Sequence, residues 1–339
     1  MYELIKKLCD LPGISGRERA VTDEIERIAR EYTREIERDA LGNLIVRKRG
    51  AKTPSRPVMV AAHTDEVGFM VSDIDDDGLL SLVSVGGTYG HTLSGRSLIL
   101  PRSGLAGILG GAPLHLRHDN LDEIPKLDDM YLDIGASSKE QAEKYVRRGD
   151  AVLFDTKLAR FGDDNIIGKA IDDRLGCAIM LELLRENLPC DVTFAFTVQE
   201  ELGLRGAKTA AFSVRPGTAI VLDVGGGADN AGFEGAARIA LQGAGPIISF
   251  MDRATIYDEK LYEAACRLAD DNNIPRQTKT RVSGGTDAGA IHCAAAGARV
   301  VGISIAGRNI HTSASSVSLS DTRNAFELAK LMLGHLSDV

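Results

Sequence analysis

Two histidines and a group of carboxylates carry the chemistry open to this sequence. His63 closes the apolar run Pro57-Val58-Met59-Val60-Ala61-Ala62, Glu200-Glu201 follow Val192 to Val198, and Asp223 follows Thr218 to Leu222. Asp172-Asp173 precede a helical stretch, and His311 lies beyond Val300 to Ile305. The apolar runs are strand-like, and open α/β sheets place their ligand sites where strands run out. Imidazoles mixed with carboxylates, without thiolate, suit divalent ions of borderline hardness (zinc, cobalt or manganese) in an open catalytic site. Charge sets the number. Three carboxylates and two neutral imidazoles leave one dication in a net negative site, a poor electrophile. Around two dications they leave a single positive charge, which a hydroxide neutralises, so two ions per chain are expected.

The elements that must position these residues alternate. Ser15 and Glu18 have capping-box spacing and Val21, Ile25 and Ile28 form an apolar stripe, which predicts a helix from about Gly16. A turn and strand follow over Leu41 to Val46, then the buried strand that ends at His63. From about Phe69 to Asn165 short strand-like pieces, such as Leu79 to Val85 and Ala151 to Phe154, lie among Gly, Asp and Pro clusters. Helical period there is confined to Lys139 to Tyr145, so the segment reads as a small β-rich insert. Asp73 to Asp77 is the solvated tip of a hairpin rather than a calcium loop. Helices are predicted over Leu175 to Leu184, Glu259 to Asp271 and Asp321 to Leu336, and strands over Val192 to Val198, Thr218 to Leu222 and Arg299 to Ile305. Such alternation implies an α/β sheet with helices on its faces.

Composition narrows the function classes. The 339 residues are 44% apolar and 26% charged, enough for a large folded core. With 40 Lys and Arg against 48 Asp and Glu the net charge is -8, which opposes binding to nucleic acid or an anionic membrane. No apolar stretch reaches spanning length and the first residues lack a secretory core, so the protein reads as cytoplasmic. Cys9, Cys177, Cys190, Cys266 and Cys293 show no C-x-x-C pairing and read as free thiols.

Six segments, taken together and in order, resemble the M42 family of metallo-aminopeptidases, the glutamyl and tetrahedral aminopeptidase group. They are Leu11-Pro12-Gly13-Ile14-Ser15-Gly16-Arg17-Glu18, Ala62-His63-Thr64-Asp65-Glu66-Val67-Gly68-Phe69, Lys169-Ala170-Ile171-Asp172-Asp173-Arg174-Leu175-Gly176, Gln199-Glu200-Glu201-Leu202-Gly203, Ser283-Gly284-Gly285-Thr286-Asp287-Ala288 and Arg308-Asn309-Ile310-His311. The resemblance implies a zinc-peptidase-like α/β fold with a central mixed sheet and flanking helices. Residues 1–68 and 165–339 would form the catalytic domain, and 69–164 an inserted PDZ-like or barrel domain for dimerisation.

It also implies that His63, Asp172 and Asp223 hold one ion and Asp172, Glu201 and His311 the other, with Asp172 as the bridge and a cis peptide between Asp172 and Asp173. Glu200 would be the general base, and Asp65 would fix the His63 tautomer. The expected reaction is hydrolysis of N-terminal residues from short peptides by a cytoplasmic homo-oligomer, between dimer and dodecamer. Leucine, lysine and acidic first residues all occur as preferences in the family, and the sequence does not choose among them. One departure stands out: the glutamate that commonly follows the last histidine is absent, and His311 is followed by Thr312-Ser313-Ala314-Ser315-Ser316.

Blander roles compete residue by residue. Asp172-Asp173 before a helix would serve as charge at its positive end, worth several tenths of a kcal/mol. Glu200-Glu201 would serve as a solvated turn, and Gly225-Gly226-Gly227 and Gly284-Gly285 as tight turns. His91, His115, His118, His292 and His335 receive no role. Other functions compete too: a deacylase or carboxypeptidase with Arg308 reading a substrate carboxylate, a glycoside hydrolase using two carboxylates, or an inactive assembly scaffold.

Overall fold

The computed structural model describes residues 1–111, 124–227 and 229–337; His115 and His118 lie outside them. In chain order the elements are α1 (Tyr2–Asp10), α2 (Arg19–Ala29), β1 (Glu35–Arg38), β2 (Leu44–Lys48), β3 (Val58–His63), β4 (Gly68–Ile74), β5 (Leu80–Val85), β6 (Arg96–Leu100), β7 (Leu105–Gly111) and β8 (Met130–Asp133). There follow α3 (Lys139–Glu143), β9 (Ala151–Phe154), β10 (Ala159–Phe161), β11 (Asn165–Gly168), α4 (Ile171–Leu183), β12 (Val192–Thr197), α5 (Arg205–Val214) and β13 (Thr218–Gly226). The chain continues through β14 (Ile247–Ser249), α6 (Glu259–Asp271), α7 (Ala288–Ile291), β15 (Arg299–Gly307), β16 (Ser315–Ser318) and α8 (Leu319–Leu336).

The core is a seven-stranded mixed sheet in the order β1-β2-β12-β3-β13-β15-β14. Its four central strands are parallel, with His63 paired to Thr197 and Asp223 to Ser304. Strands β3 and β12 are buried throughout, as continuous apolar runs covered on both faces must be. On one face α1, α2, α4, α6 and α8 pack through residues such as Ile25, Ile179 and Leu328; on the other lie α5 and α7. Helix α4 is buried on nearly every side and reads as a central core helix rather than an amphipathic one.

The β-rich stretch folds as a closed six-stranded barrel, β4-β5-β8-β7-β6-β9, with its own core around the edge-on pair Phe69 and Phe154, 5.5 Å between centroids. The acidic run Asp73 to Asp77 lies across the end of β4 and the exposed β4–β5 turn, where Arg148 pairs with Asp73. A third, three-stranded sheet, β10-β11-β16, lies beside the entry to α4.

Three helices have no counterpart in the sequence reading: α1, α5 and the four-residue α7. The α1 helix is only nine residues long, and α5 turns small side chains, Ala207, Ala210 and Ala211, to the core, which gives little apolar periodicity. The capping box at Ser15 and Glu18 does not form: α2 begins at Arg19, and both side chains are used elsewhere.

Where β3 leaves the sheet for the barrel, a buried ion network joins three segments. The Glu66 carboxylate accepts from Lys169 Nζ at 2.9 and 3.0 Å and from Gly13 N at 3.1 Å, with Arg174 at 3.4 Å. Arg174, fully buried, also donates to the carbonyls of Leu8, Gly13 and Thr64. Glu66→Gln strands two buried cations, so it should destabilise the chain by about 3 kcal/mol in urea unfolding, whereas an unchanged midpoint would show that this joint carries no stability.

Candidate metal centre

Because β3, β12, β13 and β15 run the same way, their C-terminal ends share one edge of the sheet, and the side chains singled out above converge there. His63 is the last residue of β3, and Glu200-Glu201 form the turn after β12. Asp223 is not at a strand end as expected: β13 keeps its pairing with β15 as far as Gly226, so Asp223 lies three residues inside. Asp172 enters from the irregular first turn of α4, immediately before the cis peptide that joins it to Asp173, and His311 comes from the loop after β15 with φ of 61°.

The Asp172 carboxylate is divided between two groups. Its Oδ1 is 3.2 Å from His63 Nε2 and its Oδ2 is 3.5 Å from His311 Nε2, which is itself 3.2 Å from Glu201 Oε1. Donor atoms of His63, Asp172 and Asp223 all lie within 4.8 Å of one another, as do those of Asp172, Glu201 and His311. Glu200 closes a further group with His63 and Glu201 within the same 4.8 Å.

Other buried carboxylates hold these residues in place. Asp65 accepts the N–H groups of Glu200 and Glu201 at 3.0 and 3.1 Å and the Ser15 hydroxyl at 2.6 Å. Glu18 accepts the N–H of Gln199 at 3.1 Å, and Gln199 has φ of 55°. Three successive amides of the Glu200-Glu201 turn are therefore aimed inward at two carboxylates, which sends the two glutamate side chains toward the cavity. His63 Nδ1 faces Asp65 Oδ1 at 3.4 Å, an electrostatic contact without a formed hydrogen bond. Asp173, by contrast, fills the bland role: it accepts from Gly176 N at 3.0 Å in the first turn of α4 and from His63 N at 3.3 Å. Only glycine fits at 176, since a Cβ there would meet the Asp173 oxygens at 2.5 and 2.6 Å.

The electrostatics express a shortage of positive charge. Burial, reinforced by neighbouring carboxylates, pushes Glu200, Asp223 and Asp173 well above the usual carboxylate range and raises Glu201. Burial also lifts Asp287 to about 6. Burial would lower His63 and His311, but Asp172 with Asp65 or Glu201 outweighs it, raising His63 well above its usual value and His311 to about 11. Asp172 is itself held low against burial by the two imidazoles. Protons on the histidines thus supply the charge that divalent ions would supply, and a set of two nitrogens and three carboxylates in two overlapping groups fits a pair of such ions.

The cavity, about 360 Å³, is also lined by residues that the sequence reading did not single out: Tyr89 from the barrel segment, Ile239, Lys279 and Ser304. None has a spacing signature; tertiary approach alone brings them in. The loop of His311 is braced by hydroxyls, with Thr312 Oγ1 donating to Asn309 O at 2.7 Å and Ser315 Oγ to the same carbonyl at 3.3 Å. Arg308 is taken up by Asp229 through two 2.8 Å hydrogen bonds and does not line the cavity.

A model of the M42 glutamyl aminopeptidase family matches residues 42–328. The lysyl aminopeptidase of Pyrococcus furiosus is 33% identical over 99% of this chain and 97% of its own length. An aminopeptidase from the archaeon Desulfurococcus kamchatkensis superposes with a TM-score of 0.93 at 36% identity, covering 98% of this chain and 94% of that one. The TET1 peptidase of Pyrococcus horikoshii, which can assemble into a tetrahedron or a large octahedral shell, gives 0.87 at 30% identity over 98% of both chains.

A pH dependence follows from these charges. Carboxyls whose folded pKa is raised bind protons more tightly folded than unfolded, so their contribution is lost as pH climbs from about 4 through the raised values; for Asp287 that is about 6. His311 contributes fully below about 6.5, and that share is lost as pH rises toward about 11. Asp172 is lowered, so its share is already complete above the ordinary carboxyl range. Chelated protein should therefore show a falling thermal midpoint from pH 5 to pH 8, and zinc or cobalt should raise it more at pH 8 than at pH 5. Identical slopes with and without the ion would contradict this.

Proposed function

The chain belongs to the M42 glutamyl aminopeptidase family, and from that membership we propose that it uses two divalent ions to remove N-terminal residues from short peptides. It is a peptide-bond hydrolase of the aminopeptidase kind. The observation that carries the two-ion reading is the divided carboxylate of Asp172, one oxygen toward His63 and the other toward His311. In this reading His63, Asp172 and Asp223 hold one ion and Asp172, Glu201 and His311 the other, with zinc, cobalt or manganese as the metal.

Ions held there would supply an acidified water and Lewis-acid polarisation of the scissile carbonyl. Glu200 takes the proton of the attacking water and returns it to the departing amine; its carboxylate lies within 4.8 Å of the donor atoms of His63 and Glu201, beside the proposed ion sites. Asp65 is a positioning residue: by accepting the Glu200 and Glu201 amides it fixes base and ligand relative to each other. The carboxylates around the cavity offer the free α-amino group of a peptide its partners, which favours exopeptidase action. Engagement of Arg308 by Asp229 removes the guanidinium a carboxypeptidase reading would use.

We assign residues 1–68 and 165–339 to catalysis and 69–164 to dimerisation, within a homo-oligomer like the shells of the Pyrococcus horikoshii relative. No helix among the described residues is long and apolar enough to cross a membrane. A reducing cytoplasm suits the free thiols Cys9, Cys177 and Cys190.

Peptides with free N-termini should be cleaved and acetylated counterparts left intact; cleavage of the acetylated set at an equal rate would overturn the aminopeptidase reading. Glu200→Gln should lower kcat by about 10²- to 10⁴-fold while metal content is kept, and retained activity would remove Glu200 from the mechanism. Sedimentation at micromolar concentration should find an assembly, and a monomer alone would count against the oligomer.

A further inference from the structure

The chain as a whole is negative, yet a second cavity carries the opposite sign. About 460 Å³ in volume, it opens where the barrel meets the α/β part, between the segment joining α1 to α2 and the loops at one end of the barrel. Four arginines line it: Arg17 from the α1–α2 segment, Arg102 from the β6–β7 turn, and Arg147 and Arg148 from the loop between α3 and β9. Among the described residues of the lining, Asp150 is the sole carboxylate.

That carboxylate is already occupied. It accepts from Arg102 Nε at 2.8 and 2.9 Å, from Arg102 Nη2 at 2.6 Å, from the Arg147 amide at 2.9 Å and from Arg147 Nε at 3.3 Å. Arg148 turns to Asp73, which lies outside the lining. Arg17 is exposed, donates to the Gly16 carbonyl at 2.8 Å and pairs with no carboxylate among the described residues. Four guanidinium groups against two carboxylates leave two positive charges uncompensated. Like charges gathered in one cleft repel unless an anion joins them, and the cleft focuses their field on that anion. The first turn of α2 adds to the field: it holds no acidic residue, Ala20 lines the cleft, and the Glu18 carboxylate is taken up by the Gly16 and Gln199 amides outside the lining.

Guanidinium forks arriving from three segments suit an anion whose oxygens point in several directions. A phosphoryl group offers three such oxygens and close to two charges, where a carboxylate offers two oxygens in one plane and a single charge. We propose that this cleft binds a phosphoryl group, as inorganic phosphate or a phosphate monoester, through Arg17 on the α/β side and Arg147 and Arg148 on the barrel side, with Arg102 held beside them by Asp150. The site is separate from the metal centre and does not depend on the aminopeptidase reading. Its occupant ties the barrel to the segment whose Ser15 and Glu18 hold Asp65 and the Gln199 amide.

Isothermal titration calorimetry of the full chain, metal-loaded and chelated, at about 0.1 M sodium chloride tests this with inorganic phosphate and glycerol 3-phosphate as probes. At least one of them should show a binding event of one per chain that survives chelation, and the tighter of the two identifies the source as free phosphate or a phosphorylated metabolite. Arg17→Gln and Arg147→Gln should each weaken that event by about ten-fold, the loss of one charge-assisted contact, and Arg17→Glu should abolish it. Because both side chains are exposed, these variants should keep the anion-free thermal midpoint. Affinity unchanged in both glutamine variants would overturn the proposal, as would acetate or malonate binding as tightly as phosphate. Absence of any event at millimolar phosphate after chelation would overturn it too, whether the heat seen before chelation belonged to the metal centre or another copy of the chain already fills the cleft.

Discussion

Buried negative charge must be compensated, and the way this chain compensates it determines the site. Asp65, Asp172, Asp173, Glu200, Glu201, Asp223 and Asp287 gather at one sheet edge. Asp65 is compensated by amides and a hydroxyl, those of the Glu200 turn and Ser15, whereas Asp173 accepts from Gly176 and the His63 amide and is still raised by burial. Asp172 leans on two imidazoles. Glu200, Glu201 and Asp223 receive too little from the protein, and their raised pKa values record the deficit. Hydrogen-bond donors thus serve the carboxylates that position, and the remainder is left for bound cations.

That division ties distant parts of the chain to the chemistry. Ser15 and Glu18, from the segment between α1 and α2, orient the turn after β12 through Asp65 and Gln199. Glu66, Lys169 and Arg174 fix the root of the barrel to the loop that carries Asp172. Tyr89 then comes from the barrel side to line the cavity. The insert is therefore mechanically coupled to the catalytic edge through a desolvated ion network, a joint that resists small displacement because each cation would lose its partner.

Much of this was legible in the sequence. Strands β3, β12 and β15 announced themselves as apolar runs, and helix α6 was bounded correctly because its period and its Asp258 cap are local signals. The convergence of His63, Asp172, Glu201, Asp223 and His311 could be anticipated because parallel strands share an edge. Ser15 and Glu18 misled for a physical reason: hydroxyl and carboxylate at that spacing suit a helix start, yet both found stronger partners in Asp65 and Gln199 across the fold. Lys279 had no local signature at all; only the approach of its loop to Gly225 brings it to the cavity.

The central claim is that one carboxylate, Asp172, joins two cation sites. Anomalous diffraction from crystals grown with cobalt tests it most directly. Two peaks per chain are predicted, one bounded by His63, Asp172 and Asp223 and one by Asp172, Glu201 and His311. Peaks lying elsewhere, or a cavity that stays free of cobalt at saturating concentration, would contradict it.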